Sequence, residues 1–248
     1  VNGPVLLTTA ELEVCWDQLR LGEMPEALRV PSPGTTWEER AQYVHTVLRG
    51  LEHRDLADDH GPADVISGLL NPLCRFSWAV DTFILADRPL RARGVVVGEQ
   101  GVLAVVDGDQ VALHAIPDYE IIPSITQLAG EVPAARIGSI NVLNSVLAEV
   151  ERYANQPATF GDRLLGAGQR ADEARTLAHL ITGIERRGQF TVTRFDGDGQ
   201  RTHSPTAIGF HDSHGARVMH RRSDTHTSIV PGGQQTLRTA IQELLAAG

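Results

Sequence analysis

The stretch from Val102 to Ile116 reads VLAVVDGDQVALHAI, two apolar runs joined by Asp107-Gly108-Asp109. Aspartate and glycine in so short a link supply the positive φ values that a tight hairpin demands. Val102–Val106 and Val111–Ile116 are therefore predicted to pair as antiparallel strands. Toward the N-terminus, Gly98-Glu99-Gln100-Gly101 is a second tight turn, and Arg91–Val97 before it is a third strand. A fourth begins near Arg75, where Phe76, Trp78, Val80 and Thr82 recur with period two, and Asp87-Arg88-Pro89 separates it from Arg91–Val97. Toward the C-terminus, Asp118 to Leu128 reads as a closing helix with a late start or a kink at Pro123. The central reading is thus a four-stranded antiparallel meander.

Ahead of the meander the period is helical. Thr8 and Glu11 have the spacing of a capping box, followed by Leu12, Cys15, Trp16 and Leu19 on one face, with Gly22 as the stop. Thr36 and Glu39 repeat that signature before a helix whose apolar face is Trp37, Val44, Leu48 and Leu51. A third, short helix runs from Ala63 to Leu70 and ends at Asn71-Pro72. On this reading two amphipathic helices precede any strand. After the meander come helical stripes at Leu143, Val146, Leu147 and Val150 and at Ala174, Leu177, Ala178 and Ile181. Strand grammar then returns at Phe190, Val192 and Arg194, at Ala207–Asp212, at Arg217–Arg221 and at Thr227–Val230. Asp196-Gly197-Asp198-Gly199 is the first turn, and Leu237, Ile241, Leu244 and Leu245 form a last helix.

The order of helices, four strands, a proline and a helix occurs twice, so the chain divides into halves at 1–130 and 131–248 within one compact body. Val111–Pro117 and Thr227–Pro231 occupy matching places. The predicted class is α+β: a central antiparallel sheet with flanking helices in two pseudo-twofold-related halves. Parallel strands would need a helix after almost every strand.

At 248 residues the chain is long enough to bury roughly 70–75% of its unfolded surface without staples. Its 22 basic residues, all arginine, stand against 31 acidic ones for a net charge of −9, and the arginines are not gathered into the basic patch that nucleic acid requires. The apolar runs fall far short of the roughly 20 residues of a membrane span. No basic segment followed by an apolar one opens the chain, so a cytosolic location is expected. Cys15 and Cys74 read as reduced core thiols.

Of ten histidines, His203, His211, His214, His220 and His226 crowd the C-terminal region and raise a metal-dependent hydrolase as one alternative. The only short-spaced pair, His211 and His214, differs by an odd number of strand steps and so faces opposite sides. Asp196-Gly197-Asp198-Gly199 opens like a calcium loop, but the twelfth position holds Ala207 where a glutamate is needed. There is no nucleophile elbow, Walker loop or dinucleotide fingerprint. The pairs Glu38-Glu39, Asp58-Asp59 and Asp172-Glu173 sit at helix starts or in loops, where they complement the helix dipole. The reading is a non-catalytic protein without metal or cofactor, with a self-associating structural protein as a further alternative.

Gly3-Pro4-Val5-Leu6-Leu7-Thr8-Thr9, with Leu19, Gly22, Pro25 and Leu28, resembles the opening of the EspG family, the secretion-associated proteins of actinobacterial type VII (ESX) systems. Ile208 to Val218 is similar to that family's strand, aspartate turn, glycine and strand. Ser228-Ile229-Val230-Pro231-Gly232 with the following helix resembles its ending, and Asp107-Gly108-Asp109 matches a recurring turn. The resemblance spans nearly the whole chain, with 130–187 matching only in helical character. It implies a cytosolic, non-catalytic chaperone that holds PE–PPE heterodimers by the tip of the PPE helical bundle, keeps them soluble and directs them to secretion. Whether the chain forms a homodimer in the absence of cargo is left open, and neither nucleic acid nor membrane is expected as a partner. In the family the sheet, the loop between the second and third strands of the first half, and the helical region contribute contacts. By position Asp87, Arg88, Pro89 and Leu90 occupy that loop, which is short here, and Ile229 and Val230 are sheet residues expected near the pseudo-axis, with a core role weighed above a contact role.

Overall fold

The computed structural model describes residues 3–195 and 200–247, so the turn expected at Asp196-Gly197-Asp198-Gly199 falls outside the described residues. The protein is α+β, with a large antiparallel sheet flanked by helices. Its contacts gather into two units. One holds the residues up to Phe83 with Arg88–Ile125 and Thr193–Thr202; the other holds Ile84–Asp87, Thr126–Val192 and the residues from His203.

The first unit runs through β1 (Val5–Thr8), α1 (Thr9–Gln18), α2 (Trp37–Glu52), the two-residue strands β2 (Ala57–Asp58) and β3 (Gly61–Pro62), and α3 (Asp64–Leu70). The meander follows as β4 (Trp78–Leu85), β5 (Pro89–Val97), β6 (Gln100–Asp107) and β7 (Gln110–Pro117), leading into α4 (Ile121–Gln127). Strand order is β1-β7-β6-β5-β4. The hairpin register is the one the turns specify, with Asp107 opposite Gln110 and Val97 opposite Gln100. α4 starts late, which places Pro123 in its first turn, where a missing N–H costs nothing.

The second unit contains β8 (Ile140–Leu143), α5 (Asn144–Val150), α6 (Pro157–Gly166), α7 (Ala171–Leu180), most of β9 (Ile184–Phe195), β11 (Ile208–Ser213), β12 (Ala216–Arg222), β13 (His226–Pro231) and α8 (Gln234–Ala246); the last residues of β9 and most of β10 (Arg201–His203), which pairs with it, count with the first. The strand order of the second unit is β8-β13-β12-β11-β9. In each unit the first strand pairs with the last, so the two share one order of connections.

Three expectations need correction. A strand, β1, precedes the helices: Val5 and Leu7 face the core while Leu6 and Thr8 face out. Four alternating residues are too few to announce a strand, and the partner that fixes it, β7, lies about a hundred residues on. Leu143 belongs to strand β8 rather than to a helical stripe, and is exposed. Trp37 is 89% exposed instead of facing the core, while Leu51 at the other end of α2 is fully buried. Periodicity identifies an apolar face but not where the neighbouring element stops covering it.

Both capping boxes form. Glu11 N donates to Thr8 Oγ1 at 3.1 Å and Thr8 N to Glu11 Oε2 at 2.7 Å; Glu39 N and Thr36 N make the equivalent pair at 3.1 Å each. The outer strands are shielded by side chains on matching carbonyls. Arg54, itself bound to Glu11, donates to Leu6 O, and Gln169 Nε2 donates to Asn141 O at 3.3 Å. Each occupies an acceptor through which a foreign strand would pair.

The deepest polar group of the second unit is Arg217, which has no exposed surface. Its Nε and Nη2 donate to Asp212 Oδ1 and Oδ2 at 2.6 and 2.8 Å. Nη1 reaches Gly130 O at 3.0 Å and Nη2 reaches Ala129 O at 2.5 Å, with the guanidinium 4.7 Å from the centre of the Phe210 ring. A buried pair broken by removal of one partner leaves an uncompensated charge, so Arg217→Met is expected to cost about 3–5 kcal/mol of stability. Chemical denaturation measures it, and the double variant Arg217→Met/Asp212→Leu should recover a large part of the loss.

Candidate partner-binding surface

The meander of the first unit has two unlike faces. Val5, Leu113 and Ala104 stand opposite one another in register, and with Leu7, Val111 and Val106 they join the core formed with Leu12, Trp16, Leu28 and Leu70. On the other face Ile121 of α4 lies against Gly94 and Gly101, where an added Cβ would come within 2.8 and 2.6 Å of its side chain. These two glycines let α4 close on the sheet, and α4 covers that end of the face only.

Further along the same face, Ala92, Val105, Ala112 and Leu6 are paired in series across β5, β6, β7 and β1. Ala92 is buried, Val105 and Ala112 are half-buried, and Leu6 is 54% exposed. The neighbouring row is Leu90, Asp107, Gln110 and Thr8. Arg88 Nη2 binds Asp107 Oδ2 at 2.6 Å, while Asp107 Oδ1 is buried with no hydrogen-bond partner among the described residues. The surface is thus a strip of apolar side chains on rigid strands, bordered by polar groups and an exposed arginine.

Of the residues singled out in the sequence, Arg88 and Leu90 are brought to this border; Asp87 and Pro89 are exposed beside them. Sequence reasoning missed Leu6, Val105 and Ala112. A signal was present: Val102–Val106 is apolar at every position, as expected of a strand covered on both faces, yet helix covers only one end of its second face. Ile229 and Val230 lie elsewhere. Ile229 is buried in the core of the second unit, opposite Ile140 and His220, and Val230 is half-buried opposite Met219. Their strand lies between β12 and β8, next to the outermost strand of its unit.

Four of the ten histidines form two separate pairs. His211 and His220 rings lie 5.8 Å apart, with His211 Nε2 3.1 Å from Leu180 O. His214, at φ +52° in the β11–β12 turn, stacks on His179 with centroids 4.0 Å apart and bonds Thr182 Oγ1 at 3.0 Å. Parallel stacked rings direct their nitrogen lone pairs side by side, not toward one point. No group of three or more metal-ligating side chains occurs among the described residues. Both cysteines are free; burial, with Glu11 nearby, pushes the Cys15 thiol up to about 12, which keeps it protonated and unreactive. Among the described residues no helix is long and apolar enough to cross a membrane.

Exposed apolar side chains rimmed by polar ones are the kind of surface at which an interaction can form. The chain belongs to the EspG family, whose profile matches residues 8–243. No curated protein matches the sequence. Among solved structures, the fold is similar to the Mycobacterium tuberculosis type VII secretion system chaperone EspG5, solved in complex with a PE25-PPE41 dimer. The TM-score is 0.76 at 13% identity, over 98% of this chain and 95% of that one. At that identity the likeness is one of fold.

Desolvation lowers the His220 pKa from 6.5 to about 4, with His211 adding to the effect, and burial lowers His211 as well. The unfolded chain takes up these protons first. Stability from this pair is therefore complete above pH 6.5 and is lost as pH falls toward 4, by at most about 1.4 kcal/mol per pH unit for each proton. Denaturation across that window should show a shallower pH slope for His220→Gln than for the unaltered protein.

Proposed function

We propose that this protein is a cytosolic type VII secretion chaperone that binds a PE–PPE heterodimer by the tip of its PPE subunit and keeps it soluble, without catalysing a reaction. The observation that carries the reading is the open row Leu6–Ala112–Val105 beside Leu90 and Arg88, in a chain of the EspG family. A helical tip with exposed apolar side chains is an aggregation hazard, and covering it removes the surface through which copies of the cargo would associate.

The sheet supplies this function physically. Its side chains are fixed by ladder hydrogen bonds and by the core beneath, so little conformational freedom is lost when a helix settles on them. The apolar row is the desolvated centre. Arg88, Asp107, Gln110 and Thr8 form a polar rim that orients the partner and excludes water. A stable complex buries about 1,200–2,000 Å² in total, so the row is the anchor of a larger contact. Chaperone action by masking requires no bond to be made or broken, which accounts for the non-catalytic reading.

Co-expression with a PE–PPE pair from the same locus tests it: the expected product is a 1:1:1 complex. Val105→Asp and Leu6→Asp place an unpaired charge in the apolar centre and should each weaken the complex at least about tenfold, with circular dichroism unchanged. Arg88→Ala should act more mildly and mainly on association rate and salt dependence, because its ion pair is exposed. Absence of any complex, or full retention in Val105→Asp and Leu6→Asp, overturns the assignment.

A further inference from the structure

The far end of the same meander carries a second concavity. α3, the turn after it and the outer ends of β5, β6 and β7 enclose a groove of about 470 Å³, within the range of about 300–1,000 Å³ over which concave sites hold ligands. Its apolar lining includes Leu69, Pro72, Val97, Ile116 and Pro117. The groove opens to solvent: Val97 is 43% exposed, and Ala115 and Pro117 are exposed as well.

The groove has a charged border of one sign. Glu99 lines it, and Asp118 N donates to Glu99 O at 3.3 Å, which holds the start of the next segment beside that turn. Asp118, Tyr119 and Glu120 follow directly on Pro117, and Tyr119 is 73% exposed. None of Glu99, Asp118 and Glu120 makes an ion pair among the described residues. The buried and half-buried carboxylates of the same unit are spent otherwise: Glu11, Glu13, Asp81 and Asp107 are each paired with an arginine. An apolar channel lined by one unpaired carboxylate, Glu99, and continued past Pro117 by an acidic segment is complementary to an apolar segment flanked by cations.

This site is distinct from the surface described above. Leu90 and Val97 stand at opposite ends of β5, seven residues and roughly 23 Å apart at about 3.3 Å per residue. Occupation of one therefore leaves the other free. We infer that the groove between α3 and the ends of β5–β7 docks an apolar segment flanked by lysine or arginine, from a polypeptide other than the cargo. The apolar lining supplies affinity, and the carboxylates steer the cationic flanks and set the orientation.

The probe is a fluorescein-labelled peptide of about twelve residues, with leucines at helical spacing between arginine flanks, followed by anisotropy at physiological ionic strength. The matched peptide with glutamate flanks is the control. The expected result is saturable 1:1 binding of the arginine peptide alone. Val97→Asp and Glu99→Arg should each reduce it about tenfold or more, while Glu38→Arg, on the exposed side of α2, leaves it unchanged. Val97→Asp should also leave any PE–PPE complex intact. An equal loss in Glu38→Arg reveals general attraction to an acidic protein and overturns the inference. So does binding of the glutamate peptide, or indifference to Val97→Asp. Dimerisation of the chain that Val97→Asp abolishes makes a second copy the occupant, which also overturns it. Failure of cargo binding leaves every one of the peptide readouts intact.

Discussion

A guanidinium with no access to water must satisfy all its donors inside the protein, and the environment of Arg217 is organised by that requirement. Asp212 on the neighbouring strand neutralises it, the carbonyls of Ala129 and Gly130 accept its remaining protons, and the Phe210 ring lies against its face. The main chain of Arg217 takes part as well: its N–H donates to Pro133 O, and its carbonyl accepts from Ala135 and Gly232. One residue thus ties two strands, the segment leaving α4 and the entry to α8. Gln234 Nε2 and Arg186 Nη1 add donors to the same carbonyls, complementing the negative end of a helix. The desolvation cost of such a group is offset only when all these partners are in place together, which favours a single arrangement.

The first unit solves a similar problem with different residues. Arg93, almost fully buried, binds both oxygens of Asp81, donates to Leu73 O and lies over Phe76 at 4.8 Å. In each unit an arginine on the sheet reaches the chain just beyond a helical turn. Fixing the sheet internally matters for the proposed activity, because the apolar row can stay open only on strands that need no partner for their own stability. α4 roofs the Gly94–Gly101 end and stops there, and the surface offered to cargo is what that short helix leaves.

Much of the local structure was legible. Asp107-Gly108-Asp109 makes the hairpin it spells, Thr8 with Glu11 and Thr36 with Glu39 close their capping boxes, and Pro123 sets a late start for α4. Each depends on contacts within a few residues. The errors share an opposite cause. β1 and β8 are strands because β7 and β13 lie beside them, and Trp37 is exposed because the first turn of α2 meets α1 through Arg40, paired with Glu13 and Asp17, and not through the tryptophan. At the candidate surface, Arg88 and Leu90 were found through a turn, whereas Leu6, Val105 and Ala112 become neighbours only through strand register.

By itself the sequence determined the α+β class, the meander and its turns, the helix starts and the repeated order of elements, because periodicity and turn chemistry are properties of adjacent residues. Tertiary structure alone decided which apolar row stays uncovered, which arginines lose all contact with water and which carboxylates go without a partner. Those outcomes depend on whether a distant segment arrives at a given face, and a linear pattern carries the demand for such a neighbour without specifying its supply.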